Sequence, residues 1–130
     1  MFLLDTNACI AARKKHSVFL ANMREHSPDD LFISVITLAE IHFGLARLEP
    51  DTAQRKWEEW TILLSPFTVV ELTEACAVIW GCLRYEMRHQ PIGERDLMIS
   101  SIALANGMVV VTHNMKGFSR VPGLIVEDWE

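Results

Sequence analysis

Short runs of apolar, partly β-branched residues alternate along this chain with helix-length amphipathic segments, and that alternation leaves few folds open. Phe2 to Leu4 is a short apolar run ending at Asp5-Thr6-Asn7, a turn-and-cap cluster placed to start a helix through Cys9, Ile10 and Ala11. A second helix is expected from Ser17 to about Glu25, closed by Ser27-Pro28-Asp29-Asp30. Leu31 to Ile36 reads as a buried strand, and Thr37 opens a helix in a Thr-Leu-Ala-Glu capping-box pattern carried on through Ile41, Leu45 and Leu48. Asp51 restarts a helix after Pro50, with Ala53, Trp57, Trp60 and Leu64 along one face as a core stripe. Phe67 to Leu72 reads as a third strand. Thr73 begins a long helix carrying Cys76, Trp80, Leu83 and Met87, broken by Pro91-Ile92-Gly93. Glu94 to Asn106 is a helix apolar on most sides and stopped by Gly107. Met108 to Thr112, with three successive valines, is the clearest buried strand. A loop containing Pro122-Gly123 leads to a short last strand, Leu124 to Val126.

Such an order requires right-handed crossovers onto a mainly parallel sheet covered on both faces. The expected fold is three-layer α/β with about five strands. With 130 residues, half of them hydrophobic, and no repeat or Gly/Ser linker, residues 1–130 are expected to form one domain. Ligands in such sheets bind beyond the carboxyl ends of the strands. The chain has no G-x-G-x-x-G and no Walker A lysine, which disfavours dinucleotide and nucleoside-triphosphate binding. A phosphoacceptor receiver domain would want an acidic pair after the first strand and an acceptor aspartate after a central one, and neither is present. Cys9, Cys76 and Cys82 have no C-x-x-C spacing and read as small buried hydrophobes in a reducing compartment, not as zinc ligands. No basic leader precedes Asp5, and no apolar run is long enough for a membrane span, so a cytoplasmic location without a membrane partner is expected.

Seventeen acidic against twelve basic residues give a net charge of −5, the wrong sign for holding nucleic acid by bulk electrostatics. Any contact with RNA has to be local. Arg13, Lys14 and Lys15 are candidates for it, as are Arg84, Arg88 and His89, and the pair Lys116 and Arg120, although each group also reads as an ordinary solvated face.

Three carboxylates stand out by chain order. Asp5 ends the first strand, Glu40 is expected in the first turn of the helix after the second, and Asp96 in the first turn of the helix preceding the valine strand. Taken singly, each has an ordinary explanation: a turn or N-cap residue, the reciprocal partner of Thr37, and a complement to a helix dipole. Taken together, they belong to one sheet edge if the helix from Glu94 starts there. At about 5 Å each pair would repel by about 3 kcal/mol at an effective dielectric near 20, so a convergent cluster calls for a cation. Oxygen ligands without histidine or thiolate companions point to Mg²⁺ or Mn²⁺. Without a serine, cysteine or histidine nucleophile motif, the simplest chemistry is attack by a metal-activated water. His42 and His113 read as structural residues.

Five segments in order resemble the PIN domains, and among them the VapC-type toxins of bacterial toxin–antitoxin pairs. They are Leu-Asp-Thr-Asn at 4–7, Ser-Val-Ile-Thr-Leu-Ala-Glu-Ile at 34–41 with Gly44 following, Pro91-Ile92-Gly93 with Asp96, Val111-Thr112-His113-Asn114, and Phe118 to Trp129. The resemblance implies endoribonuclease activity on structured RNA such as tRNA or rRNA, Mg²⁺ or Mn²⁺ dependence, homodimers, and neutralisation by a small DNA-binding antitoxin. By match of motif, Asp5, Glu40 and Asp96 take the acidic metal-site roles and Asn114 the polar position after the valine strand. Thr6, Asn7, Thr112, Lys116 and Arg120 are the expected contacts to substrate. One position departs from the pattern: Gly117 stands where that group commonly carries a fourth carboxylate, which favours one metal over two. Glu94 is a possible compensating acid. The alternative reading is a PIN-like protein with weakened catalysis that acts through protein binding.

Overall fold

β1 (Phe2–Leu4) and β4 (Val109–Val111) are adjacent central strands, registered Phe2 to Val109, Leu3 to Val110 and Leu4 to Val111. In the computed structural model, which describes residues 1–130, five strands pair all-parallel in the order β3-β2-β1-β4-β5. β2 spans Leu31–Ser34, β3 Thr68–Val70 and β5 Val126–Glu127. The chain moves outward from β1 through β2 to β3, then returns to the other side of β1 for β4. The order therefore reverses at the β1–β4 boundary, where the crevice of an open α/β sheet lies.

Side chains alternate between the two faces of each strand, and the two cores follow from that alternation. Leu4, Ile33 and Val111 point to one face, covered by α1 (Thr6–Arg13), α2 (Ser17–Met23), α3 (Val35–Ala46) and α4 (Pro50–Leu64). Leu3 and Val110 point to the other, where Cys76 of α5 (Glu74–Glu86) and Ile99, Ile102 and Ala103 of α6 (Glu94–Asn106) pack. Trp60 is buried on the first face with Ala53, Trp57 and Leu64 against it, so the tryptophan stripe is core. No helix is long and apolar enough to cross a membrane.

The structure shifts several boundaries. Ser34, not Thr37, is the N-cap of α3: its hydroxyl accepts from the Thr37 amide at 3.1 Å, and Thr37 is buried inside the first turn. The capping box is therefore absent, and Glu40 lies in the second turn with its carboxylate free for other partners. Pro50 itself is the first residue of α4, a position where its missing N–H goes unneeded. β3 is shorter than Phe67 to Leu72. β5 begins at Val126, not Leu124, because the Pro122-Gly123 turn, with Gly123 at φ +78°, extends to Leu124, whose amide bonds back to Val121. A four-residue helix, α7 (Met115–Phe118), fills part of the expected loop. Cys82 is exposed, unlike buried Cys9 and Cys76.

Candidate active site

Asp5 follows β1 directly and caps α1, with its Oδ1 accepting from the Ala8 amide at 2.8 Å. Its Oδ2 accepts from the hydroxyl of Thr112, the first residue beyond β4, so both central strands fix this one carboxylate. It is 3% exposed. Burial pushes its pKa up to about 6 against the opposing pull of those two hydrogen bonds, with Asp96 and Glu40 raising it further. Two of its four acceptor sites are used, which leaves lone pairs for a cation.

In an all-parallel sheet, a helix that leads directly into a strand runs antiparallel to it and starts at the carboxyl edge. This brings the N-terminus of α6, and Asp96 in its first turn, to the end of β1. Asp96 is half-buried and its pKa is raised, first by burial and then by Glu40, while Asn114 and Arg95 oppose the rise. Asn114 Nδ2 donates to Asp96 Oδ2 at 3.3 Å, and the Asn114 amide donates to Thr112 Oγ1 at 2.9 Å. Glu40 Oε1 accepts from Thr6 Oγ1 at 2.8 Å, and its Oε2 lies 3.5 Å from Arg95 Nη1. Asp5, Glu40 and Asp96 line one open cleft of about 300 Å³ together with Thr6 and Asn7. Asp96 and Asn114 also line a second of about 490 Å³, with Lys116, Gly117 and Arg120.

This constellation sits on a chain whose residues 2–124 match the PIN domain family. The chain belongs to the PIN-domain family. Within it, the chain is 33% identical to ribonuclease VapC2 of Rickettsia felis, over all of this chain and 98% of that one. It is 33% identical to the tRNA(fMet)-specific endonuclease VapC of Salmonella typhimurium, over 98% of this chain and 97% of the other. The structure of VapBC2 from Rickettsia felis bound to a promoter DNA fragment superposes with a TM-score of 0.90 at 32% identity, covering 99% of this chain and 98% of that one. This PIN domain is a VapC-type ribonuclease.

The geometry refines where the expected residues stand in this VapC-type site. Thr6 and Thr112 have their hydroxyl protons committed to Glu40 and Asp5, so they hold the acids from behind. Asn7 is exposed at the mouth, and Lys116 and Arg120 line the neighbouring cleft without touching the acids. Glu94 turns away, pairing with Arg84 at 3.6 Å and lining neither cleft, so it does not replace an acid at position 117. His42 packs on Trp57, and His113 pairs with Asp128 and Glu130. Arg95, unremarked in the sequence, is the one cation in contact with the acids; its signal was its place between Glu94 and Asp96. The donors are carboxylate oxygens, since Asn114 turns its amide nitrogen to Asp96 and its oxygen to the Gly117 amide, and two of the acids sit above their ordinary pKa. That combination fits a hard divalent cation such as Mg²⁺ or Mn²⁺.

Proposed function

We propose that this VapC-type ribonuclease cleaves the backbone of structured RNA, tRNA or rRNA, with Mg²⁺ or Mn²⁺ held by Asp5, Glu40 and Asp96, as the toxin of a toxin–antitoxin pair. The observation that carries the reading is the buried Asp5, held by two hydrogen bonds and sharing one cleft with two further acids that raise its pKa. Acids crowded in this way gather at functional sites, where a bound cation offsets their repulsion. When bound, the ion would lower the pKa of a water and screen the phosphate charge. Asp5 is held rigid for this work by Ala8 and Thr112. Asp96 is steadied by Asn114, and Glu40, tied to Thr6 and Arg95, would take the proton. Lys116 and Arg120 would hold flanking phosphates, and the products would carry 5′-phosphate and 3′-hydroxyl ends.

Two relatives support the partners. One is named for its action on tRNA(fMet), and the VapBC2 structure is of a complex on promoter DNA. A small DNA-binding antitoxin is accordingly proposed here, as is a homodimer, for which exposed Val78 and Tyr85 form an apolar face on α5. The test is incubation of folded RNA with the protein and Mn²⁺, followed by sequencing of the new ends. Asp5→Asn and Asp96→Asn are expected to abolish cleavage and EDTA to stop it; cleavage that persists in chelator removes the metal reading. The second reading, a domain with weakened catalysis, rests on Gly117 alone, and an inactive wild-type chain would favour it.

A further inference from the structure

Asp96 stands between two clefts of opposite character. One offers Lys116 and Arg120. The other, beside Asp5 and Glu40, offers Phe43 and Arg47 on α3. Phe43 is 62% exposed, the one phenylalanine of six that is. Ile41 and Leu45 on the same helix are buried, so α3 is anchored without it. The Arg47 guanidinium, one turn on, lies 5.2 Å from the Phe43 ring centroid. Of the groups that line this cleft, Phe43 alone offers an aromatic face, and the part of an RNA strand that matches such a face is a base. An aromatic ring backed by a guanidinium is the surface on which unpaired bases stack.

We infer that Phe43, with Arg47, is a stacking platform for an unpaired nucleobase next to the scissile phosphate, and that it directs cleavage to loops of folded RNA. The inference rests on the ribonuclease reading for the position of the phosphate. It also accounts for RNA binding by a chain of net charge −5: the grip is a stacked base on one side of Asp96 and two cations on the other. The surface is specific about substrate, since a base locked in a duplex cannot reach it.

The test compares wild type, Phe43→Leu and Phe43→Trp in affinity for a labelled hairpin RNA with an unpaired loop, for the matching full duplex, and for Mn²⁺. Leucine keeps the bulk without a π face, so hairpin affinity is expected to fall about tenfold while tryptophan retains it. Duplex and Mn²⁺ affinities should be unchanged in both. Equal hairpin affinity for wild type and Phe43→Leu overturns the platform, and does so whether or not the leucine variant also loses its antitoxin, a result that would make Phe43 a protein contact. The ribonuclease reading is judged apart from this, by metal-dependent cleavage in the wild type: Phe43-dependent binding without cleavage sinks that reading and leaves the platform standing.

Discussion

At the scale of single residues, Asp5 carries two opposed effects. Its pKa is about 6 in the folded chain against 3.8 ordinarily, so between those values the folded state holds a proton that the unfolded state has released. Its contribution to stability is therefore full below pH 3.8 and lost as pH rises through 6, a penalty of about 3 kcal/mol at neutral pH. Asp5→Asn is expected to inactivate the enzyme yet stabilise the metal-free protein at pH 7.5, with the gain over wild type shrinking toward pH 4 in urea titrations. Gly117 makes a second case. A Cβ there would come within 2.7 Å of Asn114 Nδ2, the group that donates to Asp96. Gly117→Ala is expected to displace the amide and to lower activity about as far as Asn114→Ala does. The double variant should be no worse than either single one, and additive losses would show that the two positions act separately. Among the acids, Asp5 and Glu40 could be placed at the sheet edge from chain order, and Asp96 only on the condition that its helix starts there. Glu40 was legible as a residue, but its ordinary explanation as a capping partner dissolved once Ser34 took the cap. The Thr6 and Arg95 contacts to Glu40 were not legible, because they are made between elements separated by more than thirty residues.

At the scale of elements, strand and helix types followed from periodicity, and the misses are short or terminal. α7 has four residues, too few to show a 3.6-residue period, and only its cap Asn114, accepting from the Gly117 amide at 3.3 Å, marks it. The α3 boundary was misread because Val35 and Ile36 are as suited to a strand as to a helix. Ser34 decides it, since its hydroxyl satisfies an otherwise orphaned amide and is fully buried. Ser34→Ala should lower stability by about 1 kcal/mol through the lost cap. It should also reduce activity, because α3 carries Glu40; thermal melts and cleavage rates together check both. A variant of unchanged stability would mean that the helix start is held by packing alone.

At the scale of the whole molecule, the sheet order places the chemistry. Parallel strands force α1, α3 and α6 all to start from the same edge, and the β1–β4 boundary joins Asp5 to Thr112 there. The alternating pattern implied that edge; the strand order and the reversal beside β1 depend on long-range packing that chain order does not encode. Because the acids come from elements on both sides of the sheet, their repulsion is a load on the global fold, and its relief should appear as global stability. A ligand bound only by the folded state at 100 times its Kd adds about 2.7 kcal/mol. Mg²⁺ or Mn²⁺ is thus expected to raise the melting temperature by several degrees, and to do so more at pH 7.5 than at pH 5, where a protonated Asp5 competes with the ion. Asp5→Asn and Asp96→Asn should each begin from an equal or higher metal-free melting temperature and lose most of the metal increment. A flat response of the wild type across millimolar metal would count against the cluster as a cation site, and an increment retained in both variants would place the bound ion elsewhere on the surface.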